Sequence, residues 1–252
     1  MSLKQPAKTA LWKLIIGRIF AVWALVLFIA TMIPSIVFYL PCFLLNDPAK
    51  AYWHRHVSRV WMWIYLHLIG CPLSIKGKEN FVQHTNYVVI CNHNSLMDVP
   101  VSTPFMPRAN KTIAKKSFAK IPVFGWIYTF GSVLVDRKSD ESRRRSYDEM
   151  KKMLAIGLDM VIYPEGTRNR TNDPLKSFYD GAFKLATDTG KPILPVVLFH
   201  TKKVLPANIF FYLMPHSLEM HFLPAVASEG KTATALKEEL FELMWKYYED
   251  HS

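Results

Sequence analysis

Cysteine is scarce in this 252-residue chain: Cys42, Cys71 and Cys91 are the only three. They are odd in number, unpatterned and set in apolar stretches, which argues against a disulfide framework or a cysteine zinc site and makes each a small buried hydrophobe in a reducing compartment. The nine histidines show neither H-x-x-x-H nor Cys-paired spacing, so no metal is expected. There is no internal repeat, no Gly/Ser linker and no low-complexity tail. Acidic residues are the minority, 20 against 31 Lys and Arg, and the net charge of +11 calls for an anionic partner: nucleic acid, a membrane surface or a phosphorylated substrate. At 50% hydrophobic residues the chain is not mainly disordered. No helix-turn-helix, zinc-finger or RNP pattern supports nucleic acid, which is not expected as a partner.

What is present in quantity is apolar sequence near the N-terminus. Ile19 to Leu45 runs 27 residues without a formal charge, about 40 Å as a straight helix against the ~30 Å hydrocarbon core of a bilayer. The run is too long for a secretory h-region, and no A-x-A-like site follows it. Lys4, Lys8, Lys13 and Arg18 precede it and Lys50, Arg55 and Arg59 follow it, drawing both ends to the cytoplasmic side. Pro34 can break the helix, so a hairpin in one leaflet stands beside a single span. The next apolar stretch, Val60 to Ile75, is too short and interrupted to span; its Trp61, Trp63 and Tyr65 suit either a membrane interface or a buried core helix. Residues 1–75 therefore read as a membrane-binding helical region and 76–252 as one globular domain.

In that domain strand-like runs alternate with helical patterns. Asn86 to Cys91, Gly131 to Val135, Asp159 to Tyr163, Ile193 to Phe199 and Leu218 to Leu223 read as strands. One helix opens at Ser139 or Ser142, one covers Leu175 to Gly190, and a C-terminal one aligns Leu236, Leu240, Leu243, Met244 and Tyr247 on one face. The alternation predicts an α/β fold: a mostly parallel sheet flanked by helices, behind the N-terminal membrane-embedded helices.

The first strand ends in "CNHNSLMD". In a continuous helix His93 and Asp98 would face some 140° apart, so they meet only if the chain bends, as it would if a helix began near Ser95 with Ser95 or Asn94 as N-cap. A carboxylate on one imidazole nitrogen leaves the other to take a proton from a hydroxyl; the plainer alternative has His93 capping a helix with Asp98 in its first turn. A nucleophilic Ser95 is a minor reading, lacking a G-x-S-x-G elbow. A second strand runs into "EGTRNR", where Gly166 permits a close turn, Thr167 offers a hydroxyl and Arg168 a forked donor suited to phosphate.

Together these segments resemble the glycerolipid acyltransferase family with its H-x-x-x-x-D motif. "NHNSLMD" (Asn92, His93, Ser95, Asp98) matches its first block, and "AKKSFAKIPVFGWIYTFGSVLVDR" (Lys115, Lys116, Gly125, Arg137) its second. "YPEGTRN" (Glu165, Gly166, Thr167, Arg168) matches the third and "KPILPVVLFH" (Pro195) the fourth, although Ser117 stands where many members have Glu. The resemblance implies that a fatty acyl group moves from acyl-CoA or acyl carrier protein to the free hydroxyl of 1-acylglycerol 3-phosphate, giving phosphatidic acid. Glycerol 3-phosphate, another lysophospholipid or a lyso-aminolipid are the alternative acceptors. It further implies His93 as base, Asp98 as its orienter, and a phosphate site from Arg168, Arg137 and Lys115 or Lys116, with Glu165 ordering the loop. Backbone N–H groups just after His93 are expected to serve an oxyanion. No cofactor beyond the acyl donor is expected, membrane lipids are partners, and the expected location is a bacterial inner membrane with the site on its cytoplasmic side.

Overall fold

A computed structural model describes residues 11–82, 84–136 and 138–252; Arg137 lies outside the described residues, as do Lys4 and Lys8. The chain opens with α1 (Leu11–Tyr39) and α2 (Ala49–Leu68), followed by β1 (Leu73–Lys76), β2 (Val88–Cys91), α3 (Asp98–Ser102), β3 (Asn110–Lys115) and α4 (Phe124–Phe130). It continues with β4 (Ser132–Val135), α5 (Asp140–Ala155), β5 (Asp159–Ile162), α6 (Gly181–Thr189), β6 (Ile193–Phe199), α7 (Thr201–Val204), β7 (Leu218–Phe222) and α8 (Ala233–His251).

The strands form one sheet in the order β1-β7-β6-β2-β5-β3-β4, in which every neighbouring pair is parallel except β6 with β7. The expected α/β fold is therefore present. The central strands are apolar on both faces because both faces are covered. Alternate residues divide between two cores: Val89, Cys91, Val161, Leu194 and Val196 face Trp61, Met62, Tyr65 and Leu66 of α2. Val88, Ile90, Met160, Ile162 and Val197 face α5, α6 and α8 through Met153, Phe183, Leu240 and Met244. All three cysteines are free and buried.

Local chemistry sets the helix ends. The Ser139 hydroxyl accepts the Ser142 N–H at the start of α5, Thr232 does the same for Ala235 at α8, and Gly190, at φ 62°, closes α6. Leu243, expected on the buried face of α8, is 36% exposed.

Three other expectations change. Strands β1 and β3 were not read from the sequence: Leu73–Lys76 was absorbed into an apolar stretch, and the polar "NKTIAK" lacks a strand's usual composition. Helix α6 starts at Gly181 rather than Leu175, because the Lys176 N–H is drawn to the Glu165 carboxylate and the Tyr179 N–H to the Pro164 carbonyl. Pro34 does not break α1, which passes through it to Tyr39; the chain reverses in the following segment, before α2.

Helices α1 and α2 pack on each other, with Phe28 against Trp61 and Tyr65 and the Tyr39 hydroxyl 2.7 Å from that of Ser58. Arg55 and Arg59 fix α2 to the domain by donating to the carbonyls of Met106, Pro107 and Pro104. At the other end of α1, the Gly17 carbonyl accepts the Leu213 N–H at 3.0 Å. Leu11–Phe43 is long and apolar enough to cross a membrane by length and composition. Its outer face presents Trp12, Ile19, Trp23, Ile29, Ile33 and Phe38, all exposed. The Val60–Leu68 stretch of α2 divides: Trp61, Tyr65 and Leu66 are core, while Val60, Trp63 and Leu68 are exposed.

Candidate active site

The site lies at the carboxyl ends of β2 and β5, where ligands bind in open α/β sheets. Beyond β2, Asn92 continues the sheet with its side chain, which accepts the Leu198 N–H at 2.7 Å and donates to the Leu198 carbonyl at 3.0 Å. This fixes the level at which the chain leaves the sheet. His93 follows, its Nδ1 2.7 Å from Asp98 Oδ2.

The same Asp98 oxygen accepts the N–H groups of Asn94 at 2.6 Å and Ser95 at 2.7 Å. The backbone is thus wrapped around a carboxylate that is fully buried, while the His93 side chain keeps 18% exposure. That wrapping moves the helix start: α3 begins at Asp98, not near Ser95, and has no side-chain cap. It also takes three amides out of the expected oxyanion donors, because those of Asn94 and Ser95 are bound to Asp98 and that of Met97 to the Ser95 hydroxyl at 3.0 Å. Ser95 is no nucleophile: it is fully buried and donates its proton to the Leu205 carbonyl at 2.7 Å.

The imidazole is held on its face as well as its edge. The Tyr163 ring lies 4.6 Å from that of His93, and its hydroxyl is 2.7 Å from that of Ser102 on α3. With Nδ1 donating to Asp98, Nε2 carries the free lone pair, the arrangement a general base requires.

The third block grips the first by its backbone. Glu165, fully buried, accepts the His93 N–H on Oε1 at 2.7 Å and the Lys176 N–H on Oε2 at 3.1 Å. Burial pushes its carboxyl up to about 7 against the pull of these two hydrogen bonds. The His93 carbonyl accepts the Asn169 N–H at 2.6 Å. Gly166, at φ 68°, allows the turn, and a Cβ there would meet the Tyr179 ring at 2.7 Å. Thr167 accepts from the Lys176 ammonium at 2.7 Å, and Arg168 is partly exposed on the same loop.

The other expected residues lie around this centre. Lys115 ends β3 and Lys116 opens the adjoining 3₁₀ turn, Lys116–Lys120; both are exposed. Among the described residues no hydrogen bond or ion pair joins them or Arg168 to the dyad. They share its end of the sheet because β2, β5 and β3 run parallel, so that their carboxyl ends lie on one edge. Gly125 is a packing position, since a Cβ there would lie 2.3 Å from the Ala119 carbonyl oxygen. Pro195 sits in β6 opposite Ile90, and its carbonyl accepts the Leu223 N–H just past the end of β7.

Four residues near the dyad were not singled out from the sequence: Tyr163, Asn169, Lys176 and Tyr248. The last belongs to α8, stacks on Phe199 at 5.0 Å and reaches Asn94.

An acyltransferase family model matches residues 72–199. The chain is 34% identical over 151 residues to a 1-acyl-sn-glycerol-3-phosphate acyltransferase of Cocos nucifera, covering 59% of this chain and 47% of that protein. To the protein of that name from Borreliella burgdorferi it is 32% identical over 154 residues, 59% of each chain. The chain thus spans about half the length of the relatives it matches. The structure of the LPA acyltransferase PlsC from Thermotoga maritima shares the fold, with a TM-score of 0.76 over 95% of this chain and 96% of that one at 21% identity. With its family model covering half of the sequence, the chain belongs to the acyltransferase family.

Proposed function

We propose that this protein transfers a fatty acyl group from acyl-CoA or acyl carrier protein to the free hydroxyl of 1-acylglycerol 3-phosphate, forming phosphatidic acid. The observation that carries the reading is the 2.7 Å contact between His93 Nδ1 and the buried Asp98 carboxylate. In this mechanism Nε2 takes the acceptor proton as its oxygen attacks the thioester carbonyl. The C–S bond breaks as the new C–O ester forms, and the imidazolium returns its proton to the departing thiolate. Asp98 stabilises the imidazolium; no acyl-enzyme forms, in keeping with the engaged Ser95 hydroxyl. Arg168, with Arg137 and Lys115 or Lys116, holds the acceptor phosphate. Glu165 and Gly166 shape the loop, and Thr167 faces the same anion.

The reaction is placed at a membrane surface on the cytoplasmic side of a bacterial inner membrane, with residues 1–75 as the anchor and 76–252 as the catalytic domain. Because α1 is held to the rest of the protein near both ends, at Gly17 and Tyr39, a monotopic seat in one leaflet fits it better than a span. Its exposed Trp and Ile side chains then meet acyl chains. Purified protein given labelled acyl-CoA and a panel of 1-acylglycerol 3-phosphate, glycerol 3-phosphate and other lysophospholipids tests the reading. Phosphatidic acid as the dominant product supports it, and preferential acylation of any other acceptor refutes the assigned substrate.

A further inference from the structure

Lys176 lies outside the four matched blocks, in the irregular segment before α6, yet it is tied to the site twice. Its backbone N–H donates to Glu165 Oε2, and the other oxygen of that carboxylate holds the His93 N–H. Its side chain turns back over the same loop, and Nζ donates to Thr167 Oγ1 at 2.7 Å. One residue is therefore fixed at its backbone to the group that seats the base, and at its tip to the hydroxyl preceding Arg168.

An ammonium has three N–H donors and no acceptor. Thr167 takes one of them, and among the described residues Lys176 forms no ion pair. The adjacent anion, Glu165, is buried with both oxygens accepting backbone N–H groups. A half-exposed lysine fastened to a neutral hydroxyl stabilises a loop little, but it presents a full positive charge beside Arg168.

The ligand chemistry sets the geometric demand. In 1-acylglycerol 3-phosphate the reacting hydroxyl and the phosphate are on adjacent carbons, so base and phosphate site must be neighbours. The chain His93–Glu165–Lys176–Thr167 makes them so. A phosphomonoester carries about −1.5 to −2 charge and three acceptor oxygens; the Arg168 fork satisfies two, and a point charge suits the third.

We propose that Lys176, oriented by Thr167, is a specificity-determining contact for the acceptor's phosphate, working beside Arg168. The assignment rests on the acyl-transfer reading above.

The test uses full-length protein in detergent and separates acceptor from donor kinetics. Lys176→Ala should raise the acceptor KM about tenfold, the loss of one charge-assisted hydrogen bond. It should leave kcat within about threefold and the acyl-CoA KM unchanged. Competitive inhibition by glycerol 3-phosphate, which carries the phosphate without the acyl chain, should weaken by the same factor. Lys176→Arg should restore most of both. A fall in kcat with the acceptor KM and glycerol 3-phosphate inhibition intact would make Lys176 a loop fastener and overturn the assignment. Wild-type protein unable to acylate the acceptor is a separate outcome: it would overturn the acyl-transfer reading, and this assignment with it.

Discussion

The carbonyl of His93 accepts the backbone N–H of Asn169 at 2.6 Å, while the N–H of the same histidine is held by Glu165. Asn169 keeps its loop in shape with its side chain, which accepts from the Thr171 N–H and hydroxyl and donates to the Asp173 carbonyl. Asn169→Ala removes these hydrogen bonds, and because Thr171 and Asp173 are exposed their freed groups turn to water, at a cost of about 0.5–1.5 kcal/mol. Turnover should fall about tenfold or more, because the peptide carrying the base loosens. Steady-state kinetics beside thermal unfolding checks this; wild-type kcat in a destabilised variant would mean that the loop fastens the fold and not the base.

Asp98→Asn should reduce kcat by about a thousandfold or more with little change in acceptor KM. The amide keeps an oxygen for the backbone N–H groups, but it neither fixes the imidazole tautomer by charge nor stabilises the imidazolium. A variant within tenfold of wild type would contradict Asp98 as the orienting group.

Arg168→Ala should act mainly on acceptor binding. Loss of a forked phosphate contact is expected to raise the acceptor KM by about one to two orders of magnitude, leaving the acyl-CoA KM alone. Equal changes in both constants would argue against a phosphate role.

Ser95→Ala should be a stability variant. Its hydroxyl donates to Leu205 and accepts from Met97, so removal costs about 1–3 kcal/mol, while kcat of the folded fraction stays within a few-fold. Labelling of the wild type at Ser95 by a covalent serine probe would contradict this.

Glu165 gives a pH signature. Burial raises its carboxyl from 4.5 to about 7, so the folded protein keeps a proton over a window in which the unfolded chain has lost it. Stability from this group is present below about 4.5 and is lost as the pH rises through about 7, on the order of 3 kcal/mol in all. Glu165→Gln removes the titration. Between pH 5 and pH 8 the unfolding midpoint of the wild type should fall more steeply than that of the variant; parallel pH profiles would contradict the assignment.

The fold was legible where side-chain pattern and burial coincide. Val88–Cys91 and Ile193–Phe199 are apolar on both faces because they are central strands, and the sequence marks them as such. β3 was hidden because "NKTIAK" buries polar groups that find partners only in the tertiary structure: Lys111 pairs with Asp47 at 2.5 Å, and Thr112 donates to the Val161 carbonyl. The five-residue spacing of His93 and Asp98 left their pairing conditional on a bend in the chain, and the bend is present. The use of the Asn94 and Ser95 amides was not legible, since a peptide's donors carry no residue code. Lys176 escaped notice because the apolar pattern around it reads as helix, whereas Glu165 and Pro164 draw its neighbourhood into a loop.

The most direct test is transfer from labelled palmitoyl-CoA to 1-acylglycerol 3-phosphate by wild type and His93→Ala, with vesicle binding measured on both. Labelled phosphatidic acid from the wild type alone, with equal vesicle binding, is the expected result. Wild-type turnover in His93→Ala would contradict the mechanism at its centre.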